Sequence, residues 1–390
     1  MNKYNYWYAN IKRISTGKKM MIKGRGVTPR DVYHMKYEDL CAIFGEERTE
    51  KIILSRKTWD IDKEWEALEK KDIKYVTLLD EEYPSRMREL AYGFRDISLD
   101  DYDNRCDTVI NDKKYCNVPF GLYYKGRLPE NDKLSAAVVG ARQCSPYGKA
   151  EASEIGKILG RNKVNVISGL ARGVDGIAQQ GALDGGGETF GVLGCGVDIC
   201  YPASNIDLYM ELEEKGGLIS EQPPGMKPLS QFFPARNRII SALADIVIVV
   251  EAKIKSGSLI TADMALDQGR DVIAVPGRVT DKTSEGCNML ISQGAEIYTG
   301  PETLEKRISE IAGAHHTTFV FDTGGNTAFT PELTEKEAKV YACLDLRPKR
   351  LENILEECPL PFSEVMGTLM DLEVRGFVAE ASRNTYYINR

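Results

Sequence analysis

Two arginines stand two residues apart in Phe233-Pro234-Ala235-Arg236-Asn237-Arg238, beside an aromatic ring and a proline. Further on, Ser256-Gly257-Ser258 leads into a helical pattern through Thr261. Guanidiniums in fixed places and small hydroxyl residues at a helix start suit phosphate oxygens. The guanidinium fork bonds two oxygens at once, and the first N–H groups of a helix favour an anion. Three more cations follow apolar runs in the same way. Arg142 comes after Val139-Gly140-Ala141, Arg172 lies within Ser168-Gly169-Leu170-Ala171-Arg172-Gly173, and Lys227 follows Pro223-Pro224-Gly225-Met226. Gly169 and Gly173 let the backbone turn tightly and present amides. Ser145 can cap a helix whose first position suits Pro146.

These residues point to binding rather than to bond-making. The chain has three histidines, His34, His315 and His316, all far from these loops in sequence, so no Ser/His/Asp set can be drawn. Gly191, Gly194 and Gly196 do not have the dinucleotide spacing, and no Walker loop is present. Cys195 and Cys200 lie close together without a histidine nearby and read as small buried thiols rather than metal ligands. No catalytic residue, metal or cofactor is expected. Each cation also has a structural alternative: one of Arg236 and Arg238 can brace the fold against Asp245 or Glu251.

The elements that must hold these loops are short apolar runs at 136–139, 164–167, 189–193, 218–220, 246–250, 272–275 and 296–298. Runs of this length, continuous rather than alternating, read as buried parallel strands. Helical patterns lie between them at 147–159, 206–214 and 258–266, and Gly216 and Gly269 follow helices as caps do. The alternation predicts an α/β fold with an open, mostly parallel sheet and helices on both faces. Such sheets bind ligands beyond the carboxyl ends of their strands. All five cations are then expected along one sheet edge.

The flanks differ. Eight Lys or Arg and no acid occur in the first thirty residues, with Tyr4, Tyr6, Trp7 and Tyr8 among them. A basic, aromatic start can bind nucleic acid, and it equally suits a solvated helix face with its aromatics in a small core. Helical patterns continue through 37–57 and 59–71, so residues 1–82 read as a small helical domain of helix-hairpin type and 83–312 as the α/β domain. Residues 94–117, with six aspartates, read as an exposed acidic insertion. After a linker at 313–331, residues 332–390 read as three helices and a hairpin, a winged-helix-like unit. Its third helix carries Glu364, Asp371 and Glu373 against Arg375, the wrong sign for phosphate, which favours a protein-contact or regulatory role.

At 42% hydrophobic, 28% charged and a net charge of −7, the composition is that of an ordinary soluble protein. It excludes a uniformly basic surface but not a local basic groove. Nine scattered cysteines predict reduced thiols and a cytoplasmic home. No signal peptide and no bilayer-spanning apolar run is found, so no membrane partner is expected.

The motifs in their order resemble the bacterial DNA-processing family called DprA or Smf. The resemblance runs from Gly140-Ala141-Arg142 through Ser168–Asp175, Gly194–Pro202 and Phe233–Ile240 to Ser256–Thr261, Val275-Pro276-Gly277 and Gly286-Cys287-Asn288. It implies an extended Rossmann-like domain that binds single-stranded DNA, protects incoming strands in natural transformation, loads RecA recombinase and forms a homodimer, without catalysis. It places Arg142 in the phosphate pocket, with Lys227 as a second contact. The expected DNA contacts are Arg142, Ser145, Ser168, Gly169, Arg172, Gly173, Lys227, Phe233, Arg236, Asn237, Arg238, Ser256, Gly257, Ser258 and Thr261. Bases are expected to stack on Tyr147, Tyr201 or Phe233, unless these pack in the core. Gln179 departs from the family's histidine, and the acidic insertion is longer than in the family. The alternative is a Rossmann-like nucleotide hydrolase of the lysine-decarboxylase-like group, but its Pro-Gly-Gly-x-Gly-Thr stretch is not matched by Pro276-Gly277-Arg278-Val279-Thr280.

Overall fold

The computed structural model describes residues 2–92, 118–316, 335–341, 343–344, 349–375, 377–382 and 385–388. The acidic segment 94–117 and most of the expected linker lie outside them. The chain divides into two compact units, Met1–Thr318 and Phe319–Arg390.

In the first unit, nine strands among the described residues form one sheet. They are β1 (Lys74–Thr77), β2 (Gly121–Gly126), β3 (Ser135–Val139), β4 (Asn165–Ser168), β5 (Thr189–Val192), β6 (Gly217–Ser220), β7 (Ile246–Val249), β8 (Asp271–Ala274) and β9 (Glu296–Ile297). Their order is β1-β2-β6-β5-β4-β3-β7-β8-β9. From β6 to β9 all neighbours are parallel, whereas β2 runs antiparallel to β6 and β1 antiparallel to β2. The order reverses at β3: β4 to β6 extend the sheet one way, and β7 to β9 extend it the other. Crevices form at such switch points because successive connections leave to opposite faces.

The central strands are buried on both faces, which explains their continuous apolar sequences. On β3, Ala136 and Val138 join a core with Ile155, Ile158 and Ala178 from helices Pro146–Arg161 and Val174–Asp184. Ala137 and Val139 face the opposite core, with Ile239, Ala262 and Leu290 from helices Phe232–Ala242, Gly257–Asp267 and Glu285–Ser292. Trp7, Tyr8, Leu40 and Ile52 belong to that second core. The N-terminal aromatics are therefore core residues, Trp7 and Tyr8 wholly so. The boundary expected at residue 82 does not separate two cores: β1 precedes it and pairs with β2.

Of the two glycines read as helix caps, Gly269 takes the left-handed conformation, at φ +68°. Gly216 does not. It is a glycine because a Cβ there would lie 1.9 Å from the Thr189 carbonyl oxygen, where the chain enters β6 beside β5.

In the second unit, helices Glu335–Tyr341, Leu351–Glu357 and Phe362–Val374 pack around Val340, Ile354, Val365, Leu369 and Leu372. The expected hairpin is present as β11 (Val378–Ser382) and β12 (Thr385–Ile388), and a further strand, β10 (Lys349–Arg350), pairs with β12. This is a winged helix. Arg375, at the end of its third helix, is bonded to Glu337 at 2.7 Å, and Glu364 accepts an ion pair from Lys336 at 3.1 Å.

Candidate nucleic-acid interface

The loops beyond the carboxyl ends of β3 to β6 are tied to one another by backbone bonds. Val174 N–H donates to Ala141 C=O, joining the loops after β3 and β4. Gly196 N–H donates to Met226 C=O, and Gly225 N–H to Asp198 Oδ1 at 2.7 Å, joining the loops after β5 and β6. Gly173 sits at φ +80°, and a Cβ on it would lie 2.2 Å from the Ala141 carbonyl oxygen. Gly173→Ala is therefore expected to cost about 1–3 kcal/mol of stability and to displace the Arg142 loop. Thermal unfolding and oligonucleotide binding together check this; a variant that melts and binds like wild type refutes it.

Arg142, Arg172 and Lys227 are exposed on these loops, and none has a carboxylate partner among the described residues. The Arg142 guanidinium lies 5.3 Å from the centroid of the Phe233 ring. Phe233 in turn stacks on Tyr201, with centroids 5.5 Å apart and planes at 28°. Tyr201 is 41% exposed, so the stack ends in a tyrosine within reach of solvent. Arg172 Nε donates to Ser204 Oγ at 3.2 Å, which orients its guanidinium without neutralising it.

The other expected contacts fare differently. Arg236 and Arg238 are not loop residues: Phe232–Ala242 is a helix, because proline is tolerated in a first turn where its missing N–H has no partner to lose. Arg236 is buried and donates to the Val192 carbonyl, and burial pushes its guanidinium down to about 10 against the pull of Asp175. Arg238 grips both oxygens of Glu221, at 2.8 and 2.7 Å. Neither uses Asp245 or Glu251. Asp245 pairs with Arg86, and Glu251 accepts from the Ser145 backbone N–H, the Ser145 hydroxyl and the Thr283 hydroxyl. Ser145 does cap its helix, through Gly148 N–H at 3.0 Å, but its own proton goes to Glu251.

Ser168 is buried and donates to the Val138 carbonyl, and the Gly169 N–H is taken by Asp175 at 3.1 Å. Asn237 and Thr261 both donate to the Gly257 carbonyl, which stiffens the turn before helix Gly257–Asp267. Ser258 is buried there, and the buried hydroxyl of Ser256 has no partner among the described residues. Gln179, in place of a histidine, is a buried brace that accepts from Leu170 N–H and donates to Thr189 and Phe190. Seven of the fifteen expected contacts therefore have their polar groups committed inside the protein: Ser145, Ser168, Gly169, Arg236, Asn237, Arg238 and Thr261. They shape the edge. Of the five expected cations, Arg142, Arg172 and Lys227 are the exposed ones.

Tyr147 is 45% exposed, with its hydroxyl donating to the Pro276 carbonyl at 3.0 Å. Lys253, Lys255 and Arg278, beyond β7 and β8, are exposed cations that the motif reading passed over. Their signal was their place just after apolar strands. Among the described residues, no helix is long and apolar enough to cross a membrane.

A switched, mostly parallel sheet whose strand-end loops present unneutralised cations defines a Rossmann-like α/β protein with an appended winged helix. The comparisons narrow the class. A family described as DNA recombination-mediator protein A matches residues 74–309, and the DprA winged helix domain matches 326–382. The chain belongs to the DNA recombination-mediator protein A family. It is 44% identical over 183 residues to DNA processing protein DprA of Streptococcus pneumoniae, covering 47% of this chain and 64% of that one. It thus spans a little under two thirds of that relative's length. Protein Smf of Escherichia coli is 37% identical over 267 residues, 67% of this chain and 70% of the relative. The X-ray structure of DNA processing protein A from Streptococcus pneumoniae superposes with a TM-score of 0.61 at 30% identity, covering 78% of this chain and 98% of that one.

Proposed function

We propose that this chain binds single-stranded DNA along the strand-end edge, shields incoming strands during transformation and delivers them to RecA recombinase, as a cytoplasmic homodimer without catalytic activity. The observation that carries the reading is the set of exposed cations Arg142, Arg172 and Lys227 on tied strand-end loops, with the exposed Tyr201 stacked on the Phe233 ring that Arg142 lies against. Cations track a phosphate backbone, and an aromatic face stacks a base of any sequence. No side chain there is arranged to read a base edge, so binding is expected to be indifferent to sequence. The curated relatives named as DNA-processing proteins support the assignment. Leu266, on helix Gly257–Asp267, and Ile297, on the edge strand β9, are exposed and offer apolar surface for a second copy. The winged helix, with its third-helix arginine bonded internally, serves a protein contact rather than duplex DNA.

The test is a salt titration of binding to a short labelled single strand. Three neutralised phosphates predict a log–log slope of about −2, from about −0.7 for each. A flat slope, or no binding with release of free base from nucleotides, overturns the proposal.

A further inference from the structure

We propose that the DNA path has a second limb on the far side of Arg142, formed by Lys253, Lys255, Arg278 and the ring of Tyr147, which takes the next stretch of the same strand. The inference rests on the single-strand reading above. Arg142 leaves the sheet at its switch point, so the cations already described, on the loops after β3, β4 and β6, cover only one side of it. The register sets Val139 beside Val249 and Val249 beside Ala274. Lys253 and Arg278 each come four residues after those last strand partners, and Arg142 comes three after Val139. All three loops thus rise from one edge of adjacent strands, which lie about 4.8 Å apart.

Two features make this limb a built surface. Lys253, Lys255 and Arg278 are exposed, and none bonds a carboxylate among the described residues. The carboxylate nearest to Lys253 and Lys255 in the chain, Glu251, is turned inward; Asp281, three residues after Arg278, is exposed but makes no ion pair with it among the described residues. Glu251 is buried, and it binds Ser145 of the loop after β3 and Thr283 of the loop after β8 at once. The same residue that removes a negative charge from the surface fixes the new limb to the Arg142 loop. Lys282 is left out, because Asp281 and Glu285 are exposed around it.

Tyr147 is the second feature. Its hydroxyl is satisfied by Pro276, across the loop after β7, so the ring is anchored between the loops after β3 and β8 while nearly half exposed. An anchored ring with no free hydrogen-bonding demand offers its face to a base. Ile254 and Val279, 54% and 88% exposed, stand beside the cations as apolar tips for sugar and base surfaces. Cations with apolar tips also suit an anionic membrane surface; continuity with Arg142 through Glu251 favours the DNA strand.

The experiment uses the full chain and labelled oligothymidines of roughly six and twenty nucleotides, lengths that bracket one and two limbs of a typical single-strand groove. In the triple variant Lys253→Gln/Lys255→Gln/Arg278→Gln, affinity for the long strand is expected to fall at least about tenfold, and its salt slope to flatten by about 2. Short-strand affinity stays at the wild-type value. Tyr147→Ala weakens the long strand alone. An unchanged melting temperature shows that the variants fold. Wild-type behaviour of the triple variant on both lengths overturns the second limb and leaves the first standing. Loss of binding to anionic lipid vesicles with long-strand binding intact overturns it in favour of a membrane. Failure of wild type to bind either oligonucleotide overturns the underlying reading and the limb with it.

Discussion

Arg142→Ala is expected to weaken single-strand binding by about 10- to 150-fold while leaving the protein as stable as wild type. Arg142 is exposed and makes no hydrogen bond within the described structure, so the fold loses only its contact with the Phe233 ring. Exposed substitutions of that kind change stability by no more than about 0.5 kcal/mol. Binding loses more. A charge-assisted bond to phosphate is worth about 1.5–3 kcal/mol, which converts to the stated range. The slope against salt should fall by about 0.7, the share of one phosphate. Arg142→Lys separates charge from shape. It keeps the slope but lacks the planar fork and the ring contact, so its affinity should lie between the other two. The decisive pair of measurements is thermal unfolding and oligonucleotide anisotropy at two salt concentrations. An Arg142→Ala protein that binds like wild type moves the DNA away from this edge, whatever its stability.

The sheet was legible where burial is complete. Strands β3 to β8 are covered on both faces, so each shows as an unbroken apolar run bounded by turn residues. Strand β1 was not: Lys74–Thr77 follows a helical stretch, and only its pairing with β2, across nearly fifty residues, makes it a strand. Strand β10, two residues long, exists only because β12 lies beside it. The site divides the same way. That cations gather at one edge follows from strand–helix alternation, and Arg142, Arg172 and Lys227 lie exposed on strand-end loops. Which polar groups remain free does not follow. The Ser145 hydroxyl is claimed by a carboxylate 106 residues away, and Arg238 by one 17 residues before it. Nor does the helix that carries Arg236 and Arg238 follow from the strand pattern: Pro234 sits in its first turn, which accommodates it. Lys253 and Lys255 precede the Ser256-Gly257-Ser258 turn without a motif of their own, so only their place after β7 marks them.

The largest expected loss of stability comes from Asp175→Ala, about 3 kcal/mol or more, seen as a fall in melting temperature of about 6–12 °C. Asp175 and Arg236 are both buried beneath the Arg142 loop. Burial holds the Asp175 carboxyl above the usual carboxylate range, although the Arg236 charge and the Gly169 N–H pull it back. Each charge is tolerated there because the other is present. Gly169 records the closeness of the packing: a Cβ on it would meet the Arg236 guanidinium at 2.4 Å. Removing the carboxylate leaves a buried cation uncompensated and the Gly169 N–H without its acceptor, and both are costly. Asp175→Asn keeps an acceptor for that N–H and restores only part of the loss. The pairing is tested by a double-mutant cycle with Arg236→Met. If the charges support each other, the double variant is less destabilised than the sum of the singles by at least about 1 kcal/mol. Simple additivity means that the two act independently. Arg236 would then be held by its bond to the Val192 carbonyl, and the Arg142 loop would rest on its backbone bonds rather than on the attraction between these two buried charges.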